Sequence, residues 1–321
     1  MRIGNFDINN GLILPPVAGY SEAGMRKLCY RYGAGLCFTE MVSAKGLVYG
    51  GEGSRELLYT SEEEPIKAVQ LFGREEDFIA RAVRHEALAK FQIIDINFGC
   101  PVPKVVKNGE GSALLKEPEQ IYKIIKAAVD AAGGRIVTGK IRAGFTRGEN
   151  LAIEAALAIQ EAGGAMVTVH GRTRDMLYSG RADLGIIKEV KDALRVPVVG
   201  NGDVADRKSY LEMLSTGVDG VAIARGAFGR PYIFAEVLGQ SVSYNIVDLV
   251  REHLDELLKA YPERIAVNNI KKHVVFYVKG IRGGKTVKEN VFRAETAEQV
   301  IRALTDALSP EQIRAFSDRK G

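Results

Sequence analysis

The sequence contains no tryptophan, only three cysteines and only four histidines. Three cysteines (Cys29, Cys37, Cys100) are too few and too odd for a disulfide framework in 321 residues, so a reducing, cytoplasmic setting is expected. No apolar run reaches the ~18 residues of a membrane-crossing helix. Met1–Asn10 lacks the apolar core of a secretory signal. No other Cys or His stands at metal-ligand spacing from Cys100, and no metal is expected. An excess of charge is also missing: the net charge is +4 from 44 basic and 40 acidic residues, too weak by itself to mark a nucleic-acid binder. What is present is a 46% hydrophobic share, enough for a large core, and 35 glycines.

The charge and the glycines are unevenly spread. Residues 241–321 carry +3 of the +4, and Lys271–Lys288 holds six basic residues and no acid. Most glycines lie before residue 240. A boundary is expected there, with a large domain over 1–240 and a smaller one over 241–321. In the first part, Val- and Ile-rich runs at 12–17, 36–38, 66–71, 93–97, 136–141, 166–170, 196–199 and 218–224 read as buried strands. Helical periodicity lies between most of them, as at Ile121, Ile124, Ile125 and Ala128. Eight strands spaced by about 30 residues predict an α/β fold, a (β/α)8 barrel of the TIM type. A doubly wound sheet usually has a glycine-rich turn after its first strand, and none is present. The tail reads as helices over 247–261, 265–280 and 296–308, a small all-helical domain.

Sites in such barrels form at the C-terminal ends of the strands. Those ends carry Pro16-Val17-Ala18, Glu40, Gln70, Asn97, Lys140 with Arg142, His170 with Arg172, Asn201-Gly202-Asp203 and Ala224-Arg225. Glycine-rich loops after strands seven and eight suit a phosphate held by backbone N–H groups, with Arg225 as a direct partner. Lys140 suits negative charge developing on a ring. A flavin mononucleotide meets both requirements, and sugar-phosphate ligands fit as well. An isolated cysteine is most often a buried apolar group, and Cys29 and Cys37 are read so. Cys100 stands in a Gly-Cys-Pro loop just past a strand. A thiol of pKa ~8.5 is mostly protonated at pH 7, so general acid is the role needing least additional machinery. Asp95 reads as structural, and Glu40 as a substrate contact or the partner of a lysine.

These residues resemble a known family. Asp95-Ile96-Asn97-Phe98-Gly99-Cys100-Pro101, then Lys104 and Gly111-Ser112-Ala113-Leu114-Leu115, look like the signature of the tRNA-dihydrouridine synthases. Pro16-Val17-Ala18-Gly19, Gln70, Lys140-Ile141-Arg142, His170-Gly171-Arg172 and Asn201-Gly202-Asp203 follow in family order. The likeness is greatest to the bacterial B-type branch. Two motifs depart: Pro16-Val17-Ala18-Gly19-Tyr20-Ser21-Glu22, where Pro-Met-Ala-Gly-x-Thr-Asp is usual, and Ala224-Arg225, where glycine usually precedes the arginine. The resemblance implies FMN-dependent reduction of uridine to 5,6-dihydrouridine in tRNA with NADPH as reductant: hydride to uracil C6, a proton from Cys100 to C5. It implies flavin contacts at Pro16, Val17, Ala18, Gln70, Lys140, His170, Asn201, Gly202, Asp203, Ala224 and Arg225. Asn97 would hold the uracil, with Lys104 and Arg142 on RNA. Lys271, Lys272 and His273 of the basic stripe are the expected tRNA contacts, in a monomer without membrane contact. The alternative is an FMN barrel oxidoreductase acting on a free pyrimidine, as dihydroorotate dehydrogenases do, but a small substrate leaves the basic tail unexplained. A vestigial barrel serving only to bind RNA is the other class, against which Cys100 and Lys140 stand together.

Overall fold

The computed structural model describes residues 1–316. Eight parallel strands close into a barrel: β1 (Leu12–Leu14), β2 (Leu36–Ser43), β3 (Ala68–Phe72), β4 (Ile93–Phe98), β5 (Ile136–Arg142), β6 (Val167–His170), β7 (Val198–Asn201) and β8 (Gly220–Ala222), with β8 pairing back to β1. All eight expected strands are present. β1 stops at Leu14 because Pro15 and Pro16 have no N–H to continue the ladder. β2 runs five residues past the expected Phe38 and carries a register irregularity between Phe38 and Met41.

The helices α1 (Ala23–Arg31), α2 (Glu76–Arg84), α3 (Pro118–Ala131), α4 (Ala152–Glu161), α5 (Leu184–Ala193) and α6 (Arg207–Leu214) follow β1, β3, β4, β5, β6 and β7. α3 begins with Pro118, whose fixed φ suits a first turn, and buries Ile121, Ile124, Ile125 and Ala128 on one side. α6 starts with a reciprocal Asp206–Ser209 capping box. An antiparallel ribbon, Arg2–Ile3 with Phe6–Asp7, has strands too short to show a period in the sequence. Its Ile3, with Ile8, joins the inward residues Ile13, Leu36, Phe38, Ile93, Met166, Val199 and Ala222 in one buried cluster. The other end of the barrel, where the strands terminate, is left for a site.

The tail packs α7 (Ile246–Ala260), α8 (Glu263–Tyr277), α9 (Gly284–Arg293) and α10 (Ala297–Ala307) around their own apolar cluster, which also takes in Leu28 of α1 and Tyr232. Periodicity did not mark α9. A short ribbon, Ser243–Asn245 with Arg314–Phe316, joins the two ends of the tail.

Barrel and tail meet at a buried polar cluster. Glu22, which caps α1 by accepting from Met25 N at 3.1 Å, bonds His253 Nε2, while His253 Nδ1 lies 3.0 Å from the Tyr277 hydroxyl. His273 Nε2 lies 3.5 Å from the other Glu22 oxygen. Burial alone would raise the Glu22 carboxyl, but His273 and His253 together hold it well below its ordinary range. Burial outweighs Glu22 at His273 and pulls that imidazole down to about 4. A buried histidine with a depressed value takes its proton more readily in the unfolded chain. It therefore withdraws stability as pH falls from about 6.5 to about 4, and Glu22 adds to the loss below that. Urea midpoints between pH 7.5 and 4.5 should fall in the native protein. In His273→Asn the dependence should be shallower by up to ~1.4 kcal/mol per pH unit, the linkage of one proton. Equal slopes in the two proteins would remove His273 from the acid response.

Candidate active site

The strand ends surround a cavity of about 1110 Å³. Its wall includes Pro16, Val17, Ala18, Gln70, Asn97, Cys100, Lys140, Arg142, His170, Asn201, Gly202, Asp203, Ala224 and Arg225, so the barrel mouth gathers every residue expected to bind the cofactor. The parallel register explains why. Asn97 pairs with Lys140, Arg142 with His170 and His170 with Asn201, so residues from adjacent strands come level with one another. The tail closes one side with Tyr244, Phe276, Tyr277, Lys279, Gly280 and Ile281, none of which the strand pattern pointed to.

Cys100 is 7% exposed and held from both sides. Its N–H donates to Asn97 Oδ1 at 2.8 Å, and its carbonyl accepts from Ser112 N and Oγ at 3.1 and 2.9 Å. Gly111 stands beside it at φ +58°, where a Cβ would lie 2.9 Å from the Cys100 carbonyl oxygen, so that position requires glycine. Burial pushes the Cys100 thiol up, and the Val102 amide, Arg142 and Lys140 only partly oppose it. The thiol is therefore neutral at physiological pH.

Lys140 donates to Asn201 Oδ1 at 3.3 Å, and Asn201 Nδ2 donates to the Ala222 carbonyl at 2.8 Å, which fixes the amide with its oxygen toward the lysine. Burial, then the Arg142 charge, pulls Lys140 down to about 8. Burial and the charges of Lys140 and Arg142 hold His170 well below its usual value, so its ring is neutral. Arg172 approaches His170 Nε2 at 3.4 Å, which leaves the ring proton on Nδ1. Asp203, at φ +57°, accepts from Arg172 at 2.7 Å and from Arg225 at 3.1 Å. Two guanidinium groups against one carboxylate leave this corner positive. Gly226 has no room for a side chain: a Cβ would lie 2.3 Å from the Val204 carbonyl. A positive corner with close backbone fits the phosphate end of a nucleotide, and the donors Lys140 and Asn97 fit a carbonyl-bearing ring.

Of the expected RNA contacts, His273 is placed elsewhere, while Arg142 and Lys272 are held by the protein's own groups. His273 is 1% exposed and packs against Glu22 and His253, so it is a junction residue with no RNA-facing surface. Arg142 is buried and donates to the Gly99, Thr173 and Leu177 carbonyls at 2.9, 3.0 and 3.0 Å; its guanidinium builds the cavity wall. Lys272 turns back over the Tyr20 ring, 5.7 Å from its centroid. Lys271, half-buried, donates to Asn268 Oδ1 at 3.2 Å, and Lys104 is exposed on the short helix Pro103–Lys107 beside the mouth. Lys279, Arg282 and Lys285 are the exposed members of the stripe. Glu40 accepts from the Gly19 amide and so steadies the loop after β1.

A closed parallel barrel that gathers a buried thiol, an amine and a positive corner around one mouth belongs to the class of (β/α)8 barrels with a site at the C-terminal strand ends. The dihydrouridine synthase family model matches residues 13–313, and this chain belongs to that family. It is 36% identical to tRNA-dihydrouridine synthase B of Shewanella oneidensis, over 87% of this chain and 89% of that protein. It is 34% identical to the protein of the same name from Vibrio cholerae, over 95% and 97%. Among solved structures, morphinone reductase superposes with a TM-score of 0.54 at 12% identity, covering 74% of this chain and 88% of that one. The old yellow enzyme homologue from Zymomonas mobilis gives 0.52 at 13%, covering 72% and 89%. At that identity the likeness is one of fold.

Proposed function

We propose that this chain reduces uridine in tRNA to 5,6-dihydrouridine, with FMN in the cavity and NADPH as reductant. The observation that carries the reading is Cys100, a thiol kept neutral by burial on the wall of the cavity that holds Lys140, His170 and Asn97. Bound flavin would supply the hydride to C6 of the base. Cys100 delivers the proton to C5, and its locked loop holds the sulfur in place. Lys140 supplies positive charge to the ring. Arg225 and the backbone around Gly202 and Gly226 take the phosphate. Asn97 Nδ2 presents an N–H to the base. No described helix is long and apolar enough to cross a membrane; the cytoplasm, where tRNA is found, is the compartment this reading implies.

The test is direct. Purified protein should carry flavin absorption, and with NADPH it should add two hydrogens to uridine in unmodified tRNA, read by mass spectrometry of the nucleosides. Free uridine and dihydroorotate serve as comparators. Turnover of a free pyrimidine in preference to tRNA would transfer the assignment to a small-molecule oxidoreductase.

A base inside folded tRNA must leave its stack to reach the cavity, while phosphate contacts elsewhere hold the RNA. We place those contacts on Lys279, Arg282 and Lys285, because they are exposed and Lys279 also lines the mouth. Lys279→Glu with Arg282→Glu should lower tRNA affinity and reduce the slope of log K against log salt by about two, one for each lost phosphate contact. Filter binding between low and moderate salt measures it. An unchanged slope would move the RNA surface elsewhere.

A further inference from the structure

Asp95 is 2% exposed in the middle of β4. It pairs in register with Gln70 of β3 on one side and Thr138 of β5 on the other. Thr138 Oγ1 donates to Asp95 Oδ1 at 2.6 Å, and Gln70 Nε2 donates to Asp95 Oδ2 at 2.6 Å. Gln70 Oε1 accepts from Asn97 Nδ2 at 2.8 Å, and Asn97 Oδ1 accepts from the amides of Gly99 and Cys100 at 3.1 and 2.8 Å. The bonds form one directed row, every donor pointing toward Asp95.

An amide side chain has the same shape in either orientation, so packing alone leaves Gln70 and Asn97 free to exchange oxygen for nitrogen. The two ends of the row remove that freedom. At one end stand two backbone N–H groups, which only donate. At the other stands Asp95, which as a carboxylate only accepts. Burial pushes Asp95 up to about 6, against the bonds from Thr138 and Gln70, so it is ionised at neutral pH. Both amides must then carry their oxygens toward the Cys100 loop and their nitrogens toward Asp95. Gln70 Nε2 keeps one further hydrogen, the second hydrogen of Asn97 Nδ2 meets only the weak acceptor Met41 Sδ at 3.8 Å, and both side chains line the cavity. The cavity therefore meets fixed N–H donors on this wall, complementary to ring carbonyls.

We propose that Asp95 is the positioning residue for this wall: an acceptor three groups removed from Cys100 that orients Gln70, and through Gln70 orients Asn97 and the loop carrying the thiol. The inference rests on the proposed function only where it takes Asn97 to meet the reacting base.

The variants separate orientation from charge. In Asp95→Asn, Oδ1 still accepts from Gln70 and Nδ2 donates to the Thr138 hydroxyl, so the row survives. In Asp95→Leu, the Gln70 N–H is left buried without a partner. Asp95→Ser, which admits a water but supplies no oriented acceptor, is measured beside Asp95→Leu in case the leucine overpacks the barrel. The first readout is hydrogen exchange of the segment containing Gly99 and Cys100, which needs no turnover. Protection should fall in the Leu and Ser variants and stay native in the Asn variant. The second is kcat/KM on tRNA with flavin content matched: a fall of up to about 10²-fold for Leu and Ser, the scale of a misplaced reacting group, and a small factor for Asn. The third is a double-mutant cycle. If Asp95 acts through Asn97, adding Asp95→Leu to Asn97→Ala should cost little beyond Asn97→Ala alone, whereas two independent losses multiply. Native protection of the loop in both Leu and Ser variants, an Asn variant as impaired as Leu, or multiplying losses would each overturn the proposal. If the exchange results appear as expected while the native protein leaves tRNA uridine unreduced, the functional reading fails and the positioning role stands.

Discussion

Cys100→Ala should reduce dihydrouridine formation by about 10²–10⁴-fold, the range in which a positioned general acid contributes, while flavin content and tRNA affinity stay native. The size follows from the absence of a substitute. Of the groups lining the cavity near the thiol, Lys140 donates to Asn201, and Arg142 is anchored through Nε and Nη1 to three backbone carbonyls. Neither is free to move to a carbon. The alanine keeps the backbone bonds from Cys100 N to Asn97 and from Ser112 to the Cys100 carbonyl, so the loop should hold its shape. Cys100→Ser sharpens the test, because a hydroxyl fits the space but is a far weaker acid. It should resemble the alanine variant and not the native enzyme. Single-turnover measurement with pre-reduced flavin isolates the step. An alanine variant that reduces uridine within about threefold of native would exclude the thiol from proton delivery, given that factors of 10²–10⁴ are at stake.

The barrel was legible because parallel strands buried on both faces leave Val- and Ile-rich runs between glycines, and eight of them alternate with helical stretches along about 240 residues. Strand ends were legible to within a few residues, and shifted where Pro15-Pro16 cut the ladder or where β2 ran on. The mouth residues could be named from position alone, since a polar residue closing a parallel strand has one place to go. What the sequence hid is lateral. The row Thr138–Asp95–Gln70–Asn97 spans three strands, and its direction appears only once register is known. His273 was misplaced for a different reason: its basic neighbours obscured its spacing. It stands three residues after Ile270 and four before Tyr277, on the buried face of α8 with Val274. Arg142 shares the inward side of β5 with Lys140, two residues before it, a position on the cavity wall. The Glu22–His253 contact joins residues 231 apart, beyond any local signal.

Lys140→Met should lower uridine reduction by about 10²–10³-fold or leave the purified protein without flavin, because it removes the cation on the ring side of the cavity. The pH dependence separates this role from simple packing. Burial, with Arg142 adding to it, holds Lys140 near 8, so its ammonium is lost as pH rises through that value, and kcat/KM should fall on the alkaline side with it. The Cys100 thiol does not supply that limb, since burial pushes it upward and it keeps its proton over the same range. Unfolding does not supply it either, and the sign shows why. In the unfolded chain a lysine keeps its proton to about 10.4, so between about 8 and 10.4 the unfolded state binds more protons than the native one. Stability contributed by Lys140 therefore rises with pH across the interval in which activity is lost. Lys140→Arg should move the limb upward, because a guanidinium stays charged throughout, even if its fork lowers the maximum rate. A limb that remains near pH 8 in the arginine variant would assign it to another group, and a yellow, fully active methionine variant would remove Lys140 from the chemistry.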